Sequence, residues 1–121
     1  MNKHEKFLDF NGKKIYFRDQ DGQSWIAIKP ICNQLGVSYY QCLKNIQTDM
    51  LLERNTKKLN IRVDLKGNGY HVPKDMMCIN EKLLYGWILT IRSKSPELLA
   101  YQHTCYERLY EQMKGSIVAT H

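Results

Sequence analysis

The stretch SWIAIKPICNQLGVS at residues 24–38 decides the fold of this chain. It starts with alternating apolar side chains, which is the pattern of a half-buried strand. Pro30 follows directly and suits the first turn of a helix, where an N–H group has no partner within the helix. Gly36 fits a left-handed helix end, and Ser38 fits the N-cap of a second helix at about 39–48. The stretch therefore predicts a strand, a helix, a glycine turn and another helix.

Turn signals upstream of this stretch predict an antiparallel β-meander. Asn11-Gly12 is a strong signal for a two-residue hairpin between strands at 7–10 and 13–18. Residues 19–22 form the next turn, with Gly22 at a position of positive φ. The strand that starts at Ser24 is then the third. Three strands with one apolar face need helices to cover that face.

The second half of the chain predicts a hairpin followed by helices. The run from Ile61 to Leu65 alternates, residues 67–69 make a turn, and Pro73 ends the returning strand or places it at an edge. Residues 49–59 are predicted to be irregular. A short strand is predicted at 76–79, a helix at 81–93, and a last helix from the start signal Ser95-Pro96 to about residue 114. The fold class is α+β, with an antiparallel β-meander and hairpin packed against short helices and two longer C-terminal helices.

Size and composition narrow the class of protein. The 121 residues predict a single domain over 1–121, ordered from about 7 to 114, with a flexible tail at 116–121. No apolar run approaches the ~18 residues of a membrane helix, and the polar start shows no secretory signal. The four cysteines lie far apart, and we expect them to be small buried thiols rather than metal ligands. With no phosphate loop and no catalytic constellation, we expect neither enzymatic activity nor a cofactor or metal.

Positive charge is concentrated in the middle of the chain. The net charge is +6, and residues 54–74 hold six bases against one acid, which is +5. On the strand from Ile61, the residues Arg62, Asp64 and Lys66 are expected on the face opposite the apolar one. Two interpretations stay open, namely a basic face that binds phosphates and a solvated face that protects a sheet edge. The phosphate-binding candidates are Arg54, Lys57, Lys58, Arg62, Lys66 and Lys74.

The helix–glycine–helix stretch is similar to a helix-turn-helix, whose second helix lies in the major groove of DNA. Tyr39, Gln41 and Lys44 are the candidates for base and phosphate contacts. Glutamine pairs with adenine, and lysine pairs with guanine or with phosphate. The alternative is two ordinary core helices joined by a glycine.

The last helix carries two sets of apolar side chains. The first set is spaced to face the core and comprises Leu98, Tyr101, Cys105 and Leu109. The second set predicts contact with a protein partner and comprises Leu99, Tyr106, Tyr110 and Met113. The alternative is one wide stripe in which both sets face the core.

Several short pieces of sequence occur in a characteristic order. They are WIAIKPIC at 25–32 with LGV at 35–37, MMCI at 76–79 with LLYGWI at 83–88, and PELL at 96–99 with YQ at 101–102 and CY at 105–106. In this order they resemble the amino-terminal domain of phage antirepressors, over about residues 7–114. The amino-terminal domains of Bro-type viral regulators are broader relatives. The resemblance implies no catalytic residues.

What the resemblance implies is a phage or prophage transcriptional regulator that counters a repressor. We expect a module that binds a repressor protein in the cytoplasm of a bacterial host, with a homo-oligomer formed through the last helix. The alternative is a direct DNA-binding domain that applies the basic hairpin and the helix after Ser38 to double-stranded DNA. Full antirepressors continue into a second domain, so this chain is expected to be a minimal version or a fragment.

Overall fold

The computed structural model describes residues 15–64, 67 and 69–114. Within them, four antiparallel strands form one sheet in the order β1-β2-β4-β3. The strands are β1 (Phe17–Gln20), β2 (Gln23–Ala27), β3 (Thr56–Val63) and β4 (Val72–Asn80). The helices are α1 (Ile28–Leu35), α2 (Tyr39–Gln47), α3 (Met50–Arg54), α4 (Leu84–Thr90) and α5 (Pro96–Lys114), with a 3-10 turn at Glu81–Leu83. The predicted α+β class is confirmed, whereas the predicted Asn11-Gly12 hairpin and the tail at 116–121 lie outside the described residues.

A two-residue turn joins β1 to β2. Asp21 (φ 54°) and Gly22 (φ 76°) both have positive φ, as a type I′ hairpin requires. The prediction of positive φ at Gly22 is confirmed. The Ser24 hydroxyl donates to the Asp19 carboxylate at 2.6 Å and ties the two strands together beside the turn.

The segment predicted to be irregular, 49–59, contains a helix and the start of a strand. Asp49 caps α3, because its carboxylate accepts the Leu52 N–H at 3.0 Å. β3 then begins at Thr56, five residues before Ile61, where the apolar alternation becomes clear. The prediction is wrong here because a helix of one turn buries only Leu52 and so leaves little apolar pattern.

β4 runs through Pro73 without a break, whereas the sequence predicts a separate strand at 76–79. β2 pairs with only the last three residues of β4, Cys78 to Asn80. At Pro73 the strand therefore has β3 on one side and no strand of the described residues on the other. Proline is tolerated at such a local edge.

The sheet curls until its two edge strands touch. The Arg18 guanidinium on β1 donates to the Asn60 carbonyl on β3 at 3.0 Å, and the Tyr16 hydroxyl lies 3.5 Å from the Asp64 carbonyl. A small second core fills the inside of the curl. Its buried members are Trp25, Ala27, Leu59, Ile61, Val63 and Cys78.

The main core lies between the helices and the other face of the sheet. Ile26 and Ile79 contribute from the two central strands and are fully buried. α1, α4 and α5 cover them with the largest buried side chains, including Trp87, Ile88 and Leu98. The helices are thus held by one continuous apolar cluster rather than by their own propensities.

The start of α5 is tied to the end of α1. Gly36 ends α1 in the left-handed conformation (φ 68°), as the sequence predicts. The Ser95 hydroxyl donates to the Leu35 carbonyl at 2.6 Å and accepts the Leu98 N–H at 3.3 Å. A Cβ atom on Gly36 would lie 3.0 Å from this hydroxyl oxygen, so glycine also allows the close approach.

The helix predicted at 81–93 is shorter than expected. A 3-10 turn precedes α4, which ends at Thr90, so only one of the two C-terminal helices is long. The Gln102 amide on α5 donates to the carbonyls of Ile88 (3.0 Å) and Ile91 (2.9 Å). This amide caps α4 and satisfies backbone groups that a longer helix would pair internally.

Candidate interaction surfaces

α5 exposes a line of large apolar side chains. Leu99, Tyr106, Tyr110 and Met113 are 57–63% exposed. Their spacing of seven, four and three residues places them on one side of the helix. We call these four residues the α5 stripe. The core-facing set lies on another side of the helix, where Leu98, Tyr101 and Cys105 are buried and Leu109 is half-buried.

Charged groups beside the α5 stripe pair within the helix. His103 Nδ1 lies 3.1 Å from the Glu107 carboxylate. Lys114 Nζ lies 2.8 Å from the Glu111 carboxylate. The Glu111 charge is thus opposed by Lys114, and the Glu107 carboxylate has the His103 ring beside it.

The bases of the central segment do not share one face. Lys58 and Arg62 are exposed on the face of β3 opposite its buried residues. Lys74 pairs with Ile61 and so lies on the other face. Arg54 is at the end of α3. Lys66 lies outside the described residues.

The Lys57 ammonium contacts two other side chains of the protein. It is half-buried, with its ammonium 4.3 Å from the centre of the Trp25 ring. It also hydrogen bonds to the Gln20 side chain on β1. This base therefore joins two strands of the curl and is not presented to solvent like its neighbour Lys58.

Asp64 is not on the exposed face, where the sequence predicts it beside Arg62. β3 ends at Val63, and the Asp64 carboxylate is buried. Its two oxygens accept the N–H groups of Gly67 at 2.7 Å and Gly69 at 2.8 Å. The strand alternation stops at Val63 because the turn needs an acceptor for its backbone donors.

α2 has the local structure that the sequence predicts. The Ser38 hydroxyl accepts the Gln41 N–H at 3.2 Å and caps the helix. Gln41 and Lys44 are exposed, and the Gln41 amide donates to Asn45 at 3.2 Å. Tyr39 is half-buried, and burial raises the pKa of its hydroxyl. Of these candidates, Gln41 and Lys44 are exposed to solvent, and Tyr39 is partly enclosed in the core.

Three exposed apolar residues on α2 and α3 are absent from the candidates chosen by sequence. Tyr40, Met50 and Leu51 are 61–77% exposed. Lys44 and Arg54 are exposed bases on the same two helices. We call these five residues the α2–α3 surface. For Met50 and Leu51 the missed signal was Asp49, which is a good N-cap residue and begins α3.

The four cysteines are free and buried, as predicted. Burial raises the pKa of the thiols of Cys78 and Cys105 to about 11. Contact with the Cys42 thiol, together with burial, raises the pKa of Cys32, and the same contact lowers the pKa of Cys42. Among residues 15–64, 67 and 69–114, no three His, Cys, Asp or Glu side chains gather into a metal-binding group.

Comparison with known protein families identifies the family of this chain. The family model described as the P22_AR N-terminal domain matches residues 6–118. The chain belongs to this family. No curated protein and no solved structure matches significantly. Membership confirms the resemblance to phage antirepressors seen in the sequence.

As a P22_AR N-terminal domain, the chain is a phage regulatory module. The match covers every helix and strand described above. No helix in the described part of the chain is both long and apolar enough to cross a membrane.

Proposed function

We propose that this P22_AR N-terminal domain regulates phage genes by binding a repressor protein. The family match over residues 6–118 carries the proposal, because the family is that of phage antirepressors. The protein would work in the cytoplasm of a bacterial host, by contact alone and without a catalytic step or cofactor.

The α2–α3 surface is the proposed docking site for the repressor. Tyr40, Met50 and Leu51 offer apolar contacts, and tyrosine and methionine are enriched at protein interfaces. Lys44 and Arg54 offer two positive charges on the same helices, which suits an apolar surface of the repressor with acidic residues around it. Three exposed apolar side chains favour a protein partner over DNA, since DNA binding rests mainly on contacts with phosphate.

An operator-release assay tests this proposal. The purified repressor of the phage that encodes this chain is bound to its operator DNA, and the chain is added at increasing concentration. We expect release of the DNA and direct binding of chain to repressor by calorimetry. Neither release nor binding at micromolar concentrations would contradict the proposal.

Paired variants locate the docking site. Tyr40→Ala with Leu51→Ala is expected to weaken repressor binding by about tenfold or more, as loss of central apolar contacts does. Tyr70→Ala is the matched control, because Tyr70 is equally exposed but lies beyond β3, near the hairpin turn. Repressor binding that is unchanged in Tyr40→Ala with Leu51→Ala would place the repressor elsewhere.

Direct DNA binding is the second candidate. The observation in its favour is the pair Gln41 and Lys44, exposed on a helix that follows a left-handed glycine. The placement of the central bases on different faces argues against direct DNA binding, because these bases do not form one phosphate-binding surface. In the same assay, this candidate predicts that the chain binds operator DNA when the repressor is left out.

A further inference from the structure

The α5 stripe has the spacing of a helix-pairing seam. Leu99, His103, Tyr106, Tyr110 and Met113 alternate at four and three residues, which is the a/d repeat of helices that pack side by side. Four of these five side chains are apolar or aromatic and more than half exposed. At 1.5 Å per residue the seam is about 21 Å long, enough for several layers of side chains.

The charge of α5 differs from that of the rest of the chain. Glu97, Glu107 and Glu111 oppose Arg108 and Lys114, so α5 carries −1. The whole chain carries +6, and the residues outside α5 therefore carry +7. The basic remainder of each copy repels the other, and α5, whose net charge is close to zero, is a long element that adds no positive charge to that repulsion.

We propose that the α5 stripe is the contact surface of a homodimer in which two α5 helices pack antiparallel. In this register Leu99 lies opposite Tyr110 of the second copy, and His103 lies opposite Tyr106. The two-fold axis repeats both layers, so the residues from Leu99 to Tyr110 complement themselves, and Met113 lies opposite Pro96 of the second copy. The proposal does not rest on repressor binding, which is assigned to other helices.

The antiparallel orientation follows from the helix ends, and the flanking residues are compatible with it. Antiparallel α5 helices place opposite ends of their dipoles side by side, whereas parallel helices align like ends. Glu107 lies beside the seam, and in this register it faces Ala100 of the second copy rather than another acid. Glu107 also keeps its contact with His103 in the same helix.

The size of the stripe sets the expected strength of the dimer. Exposed apolar patches of a few hundred Å² are the largest that monomers usually show. Two stripes together would bury on the order of 1,000 Å², the lower end of specific interfaces, so the dimer is expected to dissociate on dilution.

Sedimentation of the full chain tests the proposal. We expect the mass to rise from 14.3 kDa at about 1 µM towards twice that value at several hundred µM, as a weak interface predicts. Tyr106→Glu with Tyr110→Glu should stay at 14.3 kDa throughout, with an unchanged circular dichroism spectrum. Tyr40→Glu, at another exposed tyrosine, should dimerise like the original chain. A single mass of 14.3 kDa for the original chain at every concentration would overturn the proposal.

Cysteine cross-linking tests the orientation independently. Leu99→Cys and Tyr110→Cys are made as separate proteins, mixed and oxidised with a disulfide-exchanging reagent. An antiparallel pair links one variant to the other, while each variant alone links poorly. Efficient linking of each variant to itself would mean parallel helices and would overturn the proposed packing. The original chain is the control for its four buried thiols.

Discussion

Lys57 belongs to the basic segment, but its contacts are internal. Its ammonium lies 4.3 Å from the centre of the Trp25 ring and also bonds to Gln20 across the curl. We expect Lys57→Met, which keeps an apolar stem, to lower the free energy of unfolding by about 1 kcal/mol through loss of the cation–π contact. Urea unfolding measures the change. Lys58→Met is the control, because the exposed Lys58 should change stability by less than about 0.5 kcal/mol. Equal effects would mean that the Trp25 contact contributes nothing.

Single residues were predictable where a backbone conformation or a cap required one residue type. Gly22 and Gly36 have the positive φ that the sequence predicts, and Ser38 caps α2 as predicted. Turns and helix ends require such residue types locally. Lys57 and Asp64 were not predictable in this way. Their environments depend on Trp25 and on the glycine turn, which strand alternation does not encode.

At the scale of elements, Ser95 joins two helices through one hydroxyl. It donates to the last carbonyl of α1 and accepts an N–H of the first turn of α5. We expect Ser95→Ala to lower the free energy of unfolding by about 1–2 kcal/mol, since a lost N-cap alone costs about 1 kcal/mol. The measurement is urea unfolding followed by circular dichroism.

Thr104→Ala supplies the comparison for Ser95→Ala. Thr104 lies in the middle of α5, and its hydroxyl bonds back to the Ala100 carbonyl at 3.2 Å within the same helix. Its replacement should leave stability nearly unchanged, because alanine is the better helix former. If Ser95→Ala lowers the free energy of unfolding no more than Thr104→Ala does, the contact of the Ser95 hydroxyl with α1 does not contribute to stability.

The length of elements was harder to predict than their type. β4 passes through Pro73 because β2 is too short to reach that point, and no local signal states the length of β2. α4 stops at Thr90 because Gln102, on the next helix, caps it. Both limits are set by neighbours in space.

At the scale of the molecule, the curl of the sheet controls which surfaces exist. Contacts between β1 and β3 join residues about 40 positions apart, as between Arg18 and Asn60. The curl turns one face of the hairpin into a second core and leaves Lys58 and Arg62 on the other face. The sequence predicts a basic hairpin but cannot specify this division, since it depends on closure of the sheet.

The placement of the bases on different faces of the curled sheet predicts weak binding to duplex DNA. Lys57 is engaged internally, Lys74 lies on a different face from Lys58 and Arg62, and few bases can reach one phosphate backbone together. The slope of log affinity against log salt is about −0.9 per phosphate contact, so we expect a slope no steeper than about −3. Fluorescence anisotropy with a labelled duplex at several salt concentrations measures it.

A triple variant, in which glutamine replaces Lys58, Arg62 and Lys74, distinguishes repressor binding from direct DNA binding. If the protein acts on a repressor through the α2–α3 surface, this triple variant should release operator DNA as well as the original chain does. Leu51→Ala should weaken release, because Leu51 is an exposed apolar residue of the α2–α3 surface. The opposite result has two parts. The salt slope is about −5 or steeper, and the triple variant loses both DNA binding and operator release. That result would make direct DNA binding the function of this domain. The two mechanisms thus differ in whether Lys58, Arg62 and Lys74 are needed for activity.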